Sequence, residues 1–236
     1  MAKILVGKSA LVTGSTRGIG RLVAVGLAKH GCKRVICHGR SAQGCQKTAD
    51  EVRSAGAEAI VIPAELDYPL QVEELADKVL KLGGVDILYN NAAVMHPWRE
   101  HAEDLRQEDW TWSFQVNLFA ITRLTSLLLP PMRKNGWGRI VNVTSGIDKT
   151  PQLAAYGASK WALDKWTDDL AAGLKHSGII VSRMDPGWLR TDLGGPNGEH
   201  EPESVLPGAL VPVVLPDGSK SGQFFRAQEL RDYVID

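Results

Sequence analysis

Short apolar runs alternate along the chain with segments whose apolar residues recur at the spacing of an amphipathic helix. The first run covers residues 9–12, and a helix-like pattern follows it at residues 22–28. Because this alternation continues to the end of the chain, we predict an α/β fold with a doubly wound parallel sheet of about seven strands and helices on both faces. The predicted strands are 9–12, 34–38, 59–63, 85–89, 139–144 and 179–184, with a last one within 222–226, and further helices cover 42–55, 72–82, 114–129 and a segment from about 153.

A chain of 236 residues can bury one substantial core. No linker or change of composition divides it, so we expect a single domain over residues 1–236. The strongest loop signal runs from Gly194 to Pro207, which is too short for a domain and typical of a mobile surface segment.

The charges balance, with 27 basic and 27 acidic residues and a formal net charge of +0. This balance gives no support for a nucleic-acid or anionic-membrane partner. The apolar run within residues 1–8 is too short for a signal peptide, and no later segment approaches the roughly 20 apolar residues of a membrane span. We therefore expect a soluble, cytoplasmic protein. The cysteines, Cys32, Cys37 and Cys45, are odd in number and lack paired zinc-site spacing, so we expect reduced structural thiols and no metal site.

A glycine-rich turn joins the first strand to the first helix. Glycine permits a tight turn and a close approach of the backbone, and a helix N-terminus offers free N–H groups to a phosphate. The spacing is G-x-x-x-G-x-G rather than G-x-G-x-x-G, so the turn alone leaves a purely structural role open. The candidate cofactor-binding residues of the turn are Gly14, Ser15, Thr16, Arg17, Gly18, Ile19 and Gly20.

Arg40 follows the second predicted strand, about twenty residues past the glycine turn. An NAD-binding domain tends to carry an acidic residue here for the ribose 2′-hydroxyl, whereas a guanidinium suits a 2′-phosphate. Arg17 in the turn offers a second guanidinium. These residues favour NADP(H) over NAD(H) as the cofactor.

Tyr156 and Lys160 are four residues apart in a predicted helix, so their side chains share one face. A nearby cation favours phenolate, and we expect Lys160 to lower the pKa of Tyr156 towards working pH, where a tyrosine can act as general acid or base. An ordinary exposed pair would show the same spacing. Ser145 follows the fifth predicted strand at the same sheet edge. Asn117 interrupts an apolar helical pattern and is predicted to face solvent, to form a local hydrogen bond, or to point at the active site.

Together these residues resemble the short-chain dehydrogenase/reductase family over nearly the whole chain. The resemblance lies in the turn at 13–20, the motif Asn90-Asn91-Ala92, and the set Ser145, Tyr156 and Lys160. It implies a Rossmann fold and an NADP(H)-dependent oxidoreductase of the carbonyl reductase, ketoreductase or alcohol dehydrogenase type. Such an enzyme would interconvert a ketone or aldehyde and an alcohol.

The resemblance also implies a role for each catalytic residue. Tyr156 would donate the proton, Lys160 would lower its pKa and bind the nicotinamide ribose, and Ser145 would hydrogen-bond the developing oxyanion. Asn117 would hold a water that links Lys160 to solvent. Ala93 and Glu65 depart from the usual Gly and Asp of the family. Beyond the turn, the implied cofactor-binding residues are Arg40, Glu65, Leu66, Asn91, Ala92, Tyr156, Lys160, Pro186, Gly187 and Thr191.

By family position, five residues would line the substrate pocket and favour an apolar or bulky carbonyl compound, although the same residues could belong to the core. The segment around 190–207 is short for a substrate-covering loop and predicts an open pocket. The family also implies a homodimer or homotetramer built on helices near 105–133 and 153–176, with Trp161 and Trp166 available there. The predicted lining residues are Met95, Trp98, Ile147, Leu153 and Trp188.

Two other functions stay open at the level of sequence. The first is a 3-oxoacyl-[acyl-carrier-protein] reductase, which the short loop and the lack of an evident basic patch disfavour. The second is a non-catalytic NADP-binding sensor or scaffold, which would have no reason to retain Ser145, Tyr156 and Lys160 together.

Overall fold

The computed structural model describes residues 3–235, and its centre is one seven-stranded sheet in which every pairing is parallel. The strand order is β3-β2-β1-β4-β5-β6-β7. The chain therefore starts in the middle, moves outward to β3, and returns past β1 to build the other half. This is the predicted doubly wound Rossmann architecture. The strands are β1 (Ser9–Val12), β2 (Arg34–Gly39), β3 (Glu58–Pro63), β4 (Ile87–Asn90), β5 (Gly138–Val143), β6 (Ile179–Asp185) and β7 (Gln223–Arg226).

Helices cover both faces of the sheet and create two cores. Successive strand residues point to opposite faces, so Leu11 and Leu88 enter the core with α3 and α5, whereas Val12 and Tyr89 enter the core with α1 and α2. The segment 205–213 packs into the core that α1 and α2 form with the sheet. The helices are α1 (Gly18–Lys29), α2 (Ala42–Ser54), α3 (Pro69–Lys81), α4 (Gln107–Phe114), α5 (Ala120–Asn135), α6 (Ala154–Gly173) and the short α7 (Val211–Val214).

The helix predicted over 114–129 is wrong in its bounds and in its regularity. Helical structure starts at Gln107, passes through a π-helical turn at Gln115–Phe119, and continues to Asn135. Two prolines inside α5 do not end it, because Leu128 and Met132 on either side are fully buried and tertiary packing outweighs the lost backbone hydrogen bonds. The helix ends at Gly136, which has a left-handed φ of 61°.

Within residues 3–235, no helix is both long and apolar enough to cross a membrane. The same residues contain no group of His, Cys, Asp and Glu side chains that could hold a metal ion. The three cysteines are buried and unpaired by disulfides.

Candidate active site

The glycine turn between β1 and α1 has a shape that only glycine allows. Gly14 and Gly18 have φ angles of 64° and 53°, in the left-handed region. A side-chain carbon on Gly20 would collide with the Gly14 carbonyl and would lie 2.5 Å from Nδ2 of Asn91. No side chain caps the N-terminus of α1, so its first backbone N–H groups are available to an anion. The turn therefore fits a cofactor pyrophosphate.

Asn91 braces this turn from the neighbouring strand. Its Nδ2 donates to the carbonyls of Thr13 at 2.9 Å and Gly14 at 3.1 Å. The Thr13 hydroxyl oxygen in turn accepts from the backbone N–H groups of Asn91 and Ala92, each at 3.0 Å. The side chain of Asn91, predicted to bind cofactor, is thus committed to holding the turn in place.

His38 is a residue of the cofactor crevice that the sequence analysis missed. Its Nδ1 accepts a hydrogen bond from the Gly14 N–H at 3.2 Å, and its Nε2 lies 3.1 Å from the Ala64 carbonyl. These contacts assign the neutral tautomer that carries hydrogen on Nε2. Burial lowers the pKa of His38 to about 4. A histidine ending a strand gave no distinctive signal, because only the fold brings Gly14 and Ala64 to its two sides.

The predicted 2′-phosphate residues lie at the sheet edge where ligands of open α/β sheets bind. Arg40 is exposed directly after β2, and Arg17 is exposed in the glycine turn, where it forms an ion pair with Asp192. Glu65 follows β3 and is half-buried. Leu66 is buried in the core on the α3 face, so a cofactor could contact it only through its backbone.

Ser145, Tyr156 and Lys160 meet at the carboxyl edge of the sheet. Ser145 lies just past β5, and the other two lie in the first turns of α6. The Ser145 hydroxyl lies near the Tyr156 phenol and acts to lower the pKa of that phenol. Lys160 is 1% exposed, donates to the Val143 carbonyl at 2.8 Å, and has its Nζ 5.9 Å from the centroid of the Tyr156 ring.

The expected lowering of the Tyr156 pKa by Lys160 is wrong for this structure. Burial raises the pKa of Tyr156 to about 12, Ser145 opposes the increase, and the charge of Asp185 adds to it. Burial also lowers the pKa of Lys160 to about 8. Lys160 therefore loses its charge at a lower pH than the phenol does, and it has little cationic effect left when Tyr156 ionises.

Asn117 lies in the π-helical turn and is fully buried. Its Oδ1 accepts from the Val94 N–H, while its Nδ2 donates to the Val94 carbonyl and to the Ser159 hydroxyl, at 2.9, 2.9 and 3.0 Å. Both amide hydrogens are therefore used. The side chain fastens the segment after β4 to α6 and makes no direct hydrogen bond to Lys160.

The segment after β6 approaches the glycine turn from the opposite side. Gly187 has a φ of 79°, and its N–H donates to Oδ1 of Asp185 at 2.9 Å. A side-chain carbon on Gly18 would lie 3.4 Å from Cγ2 of Thr191. Thr191 thus lies beside the glycine turn, in the segment that starts with Pro186 and Gly187.

The sequence profile of the short chain dehydrogenase family matches residues 8–202. The chain belongs to the short-chain dehydrogenase/reductase family. A D-beta-hydroxybutyrate dehydrogenase from Cupriavidus necator is 33% identical over 238 residues, which cover 96% of this chain and 89% of the relative. The family that the motifs resembled is thereby confirmed, and the chain is an oxidoreductase by membership.

Solved structures agree with this assignment. A protein from Pseudomonas syringae described as a short chain dehydrogenase superposes with a TM-score of 0.87 at 30% identity, covering 97% of each chain. The landomycin C-6 ketoreductase LanV, solved with bound NADP and rabelomycin, gives a TM-score of 0.81 at 29% identity over 96% of each chain.

Of the five predicted substrate residues of this short-chain dehydrogenase/reductase, one borders the cavity beside residues 147–151. Ile147 borders a cavity of about 350 Å³ beside the loop 147–151, with Trp161 on its other side. Leu153 is buried, Met95 is half-buried, and neither borders this cavity. Trp98 and Trp188 are 65% and 50% exposed and do not border it either.

Proposed function

We propose that the protein is an NADP(H)-dependent oxidoreductase that interconverts a ketone or aldehyde and an alcohol, with Tyr156 as general acid and base. The observation that carries this proposal is the grouping of the Ser145 and Tyr156 side chains beside the buried Lys160. Carbonyl reduction needs a proton donor and an oxyanion partner at one point in space, next to a hydride source. Here that point lies at the sheet edge that also holds the glycine turn.

A nicotinamide cofactor bound along the glycine turn would supply the hydride. In reduction, the Tyr156 phenol gives its proton to the carbonyl oxygen of the substrate. The Ser145 hydroxyl donates a hydrogen bond to the same oxygen as charge develops, which is worth roughly 3 kcal/mol of barrier. Because burial keeps the Tyr156 pKa high, the phenol is protonated at neutral pH and suited to this role.

Two exposed guanidinium groups support NADP(H) as the preferred cofactor. Arg40 lies at the carboxyl end of β2, where a 2′-phosphate would lie. Arg17 adds a second guanidinium from the turn. Bidentate contacts to phosphate are strong and selective. LanV, a structural relative, has NADP bound.

We also propose that the chain forms homo-oligomers through α4, α6 and the π-helical turn between α4 and α5. Trp112, Phe119 and Trp161 on these elements are 40%, 52% and 62% exposed. Exposed large apolar side chains on adjacent helices are typical of protein interfaces. Trp166 is half-buried and contributes less surface. Light scattering should give a dimer or tetramer, and a monomer would contradict this proposal.

The deciding experiment follows NADPH oxidation with a panel of ketones, aldehydes and one 3-oxoacyl thioester. We expect turnover with at least one carbonyl compound, and Tyr156→Phe should lose about a hundredfold or more of it while still binding NADPH. Tyr233→Phe, at a partly exposed tyrosine far along the chain, is the matched control and should keep full activity.

The same panel separates the competing functions. Activity confined to the thioester would favour the acyl-carrier-protein reductase. NADPH binding without turnover of any carbonyl compound would favour a sensor or scaffold. Unchanged turnover in Tyr156→Phe would refute the proposed mechanism.

A further inference from the structure

Asp185 is a carboxylate at the reaction site to which the catalytic set assigns no role. It is the last residue of β6 and lies half-buried at the carboxyl edge of the sheet. One of its oxygens, Oδ1, accepts the Gly187 N–H at 2.9 Å. Asp185 therefore closes the turn that leads into the predicted nicotinamide side of the crevice.

The other carboxylate oxygen faces a different loop. A side-chain carbon on Gly146 would lie 2.7 Å from Oδ2 of Asp185, so this oxygen rests against the backbone directly after Ser145. A residue larger than glycine at position 146 would push the two apart. One side chain thus bridges the loop of the oxyanion residue and the Pro186-Gly187 turn.

We propose that Asp185 is a positioning residue of this site: its carboxylate fixes the Ser145 loop relative to the Pro186-Gly187 turn. The charge of the same carboxylate also opposes formation of the Tyr156 phenolate. This inference rests on the proposed carbonyl-reducing function. In reduction the phenol O–H bond breaks and the alcohol O–H bond forms, leaving a phenolate that regains a proton from solvent. A fixed negative charge nearby makes the phenol hold its proton to higher pH.

The charged groups closest to the phenol lie on α6 and β6. Lys160 lies on the same helix, with Asp164 one turn further on, and Asp185 approaches from β6. Arg226 of β7 lies opposite Asp185 in the backbone register of the two strands. Its guanidinium, however, lies over the ring of Phe224 and 3.5 Å from the Glu229 carboxylate. Asp185 is the carboxylate whose charge opposes ionisation of Tyr156.

Two substitutions separate charge from position. Asp185→Asn keeps an oxygen acceptor for the Gly187 N–H and removes the charge. Asp185→Ala removes both, although Gln228 still donates to the Pro186 carbonyl at 2.8 Å and limits the collapse of the turn. Asp169→Asn, at an exposed residue paired with Lys165 on α6, is the control for the same change of net charge.

The first measurement needs no turnover. The chain has 4 tyrosines, and biosynthetic incorporation of 3-fluorotyrosine gives each of them a ¹⁹F resonance. The resonance that is missing in Tyr156→Phe belongs to position 156. The fluorinated phenol is more acidic than that of tyrosine, which brings its ionisation to lower pH. We expect Asp185→Asn to lower the ionisation midpoint of that resonance by about half a pH unit or more. Asp169→Asn should leave it unchanged. An unchanged midpoint in Asp185→Asn overturns the role of the charge.

The second measurement tests positioning. NADPH titrations should give a dissociation constant within about twofold of wild type for Asp185→Asn and a severalfold larger one for Asp185→Ala. Equal constants for the two variants overturn the bridging role. With an active substrate, the pH profile of alcohol oxidation should shift to lower pH in Asp185→Asn. A wild-type protein without any turnover would refute the proposed function and leave the ¹⁹F result to decide on Asp185.

Discussion

Arg17 in the glycine turn and Asp192 in the segment after β6 form an ion pair with Nε and Oδ2 2.7 Å apart. The two side chains are 67% and 69% exposed. The pair connects the two walls of the cofactor crevice. It also occupies the guanidinium that we propose for the 2′-phosphate, so Asp192 competes with NADP(H) for Arg17.

Removing this competitor should improve NADPH binding. An exposed ion pair contributes about 0.2–1 kcal/mol, so Asp192→Asn should lower the KM for NADPH by a factor of roughly 1.4 to 5 at low salt. The KM for NADH should change little, and the gain should shrink as salt screens the charges. Glu199→Gln in the same segment is the matched control. Equal effects on NADPH and NADH would show that Asp192 acts on the segment rather than on Arg17.

The cofactor preference itself depends on Arg40. Arg40→Asp replaces the exposed guanidinium after β2 with a carboxylate that repels a 2′-phosphate and accepts from a 2′-hydroxyl. We expect kcat/KM for NADPH to fall by about tenfold or more and that for NADH to be unchanged or higher. Arg53→Asp, at an exposed arginine on α2, controls for the change of charge. Equal NADPH efficiency in Arg40→Asp would refute the assignment.

Periodicity and strand ends were enough to predict the order of the elements, because each strand of a parallel sheet is a short apolar run that local sequence reveals. The π-helical turn at Gln115–Phe119 was not predictable in this way. It is held by tertiary contacts, namely the three hydrogen bonds of Asn117 to Val94 and Ser159. The start of α3 was missed for a local reason, since Pro69 occupies its first turn, a position that proline favours.

The sequence predicts a candidate site as a list of residues, but it does not predict the environment of each residue. Ser145, Tyr156 and Lys160 carry their chemistry in their identity and spacing. The direction of the Tyr156 pKa shift depends on burial, which the spacing of two residues does not reveal. His38 contacts Gly14 and Asp185 lies against Gly146, which are distant from them in sequence, so these contacts required the three-dimensional structure.

His38 predicts a loss of stability in mild acid. Its pKa is about 4 in the folded protein against an ordinary value of 6.5, so the unfolded chain takes up a proton first as the pH falls. The contribution of neutral His38 is complete above pH 6.5 and is lost between pH 6.5 and 4. It amounts to roughly 3 kcal/mol.

Urea unfolding across this pH range tests the prediction. His38→Gln keeps a donor and an acceptor but does not titrate, so its free energy of unfolding should fall less steeply below pH 6.5 than that of wild type. His101→Gln, at an exposed histidine, should keep the wild-type slope. Identical slopes for wild type and His38→Gln would contradict the assignment.

Arg139 lies near the amino end of β5, away from the candidate site, and its ion pair should contribute to the stability of the fold. Its guanidinium is 1% exposed, donates to Asp217 at 2.6 Å and to the Leu215 carbonyl at 3.0 Å, and lies over the Trp137 ring. Asp217→Asn removes the charge that compensates a buried cation. Because Asp217 itself is exposed, we expect a loss of only about 1–2 kcal/mol in the free energy of unfolding. Both kcat and KM should stay at wild-type values, and a change in either without a loss of stability would contradict a purely structural role.

Replacing Lys160 with an uncharged residue should stabilise the folded protein. Burial lowers its pKa from 10.5 to about 8, which at neutral pH corresponds to a cost of roughly 3 kcal/mol for holding the ammonium inside the protein. Between pH 8 and 10.5 the folded protein releases this proton before the unfolded chain does, so the cost disappears as the pH rises.

Lys160→Met keeps the side-chain length but loses the hydrogen bond to the Val143 carbonyl, worth about 1 kcal/mol. We therefore expect a net gain of about 1–2 kcal/mol at pH 7, no gain near pH 10.5, and loss of carbonyl reduction. Lys165→Met, at an exposed lysine of the same helix, should change neither quantity. A destabilised Lys160→Met at pH 7 would mean that the contacts of the ammonium outweigh its burial, whereas a stabilised but inactive variant is the result expected of a charge that is kept inside the protein for catalysis.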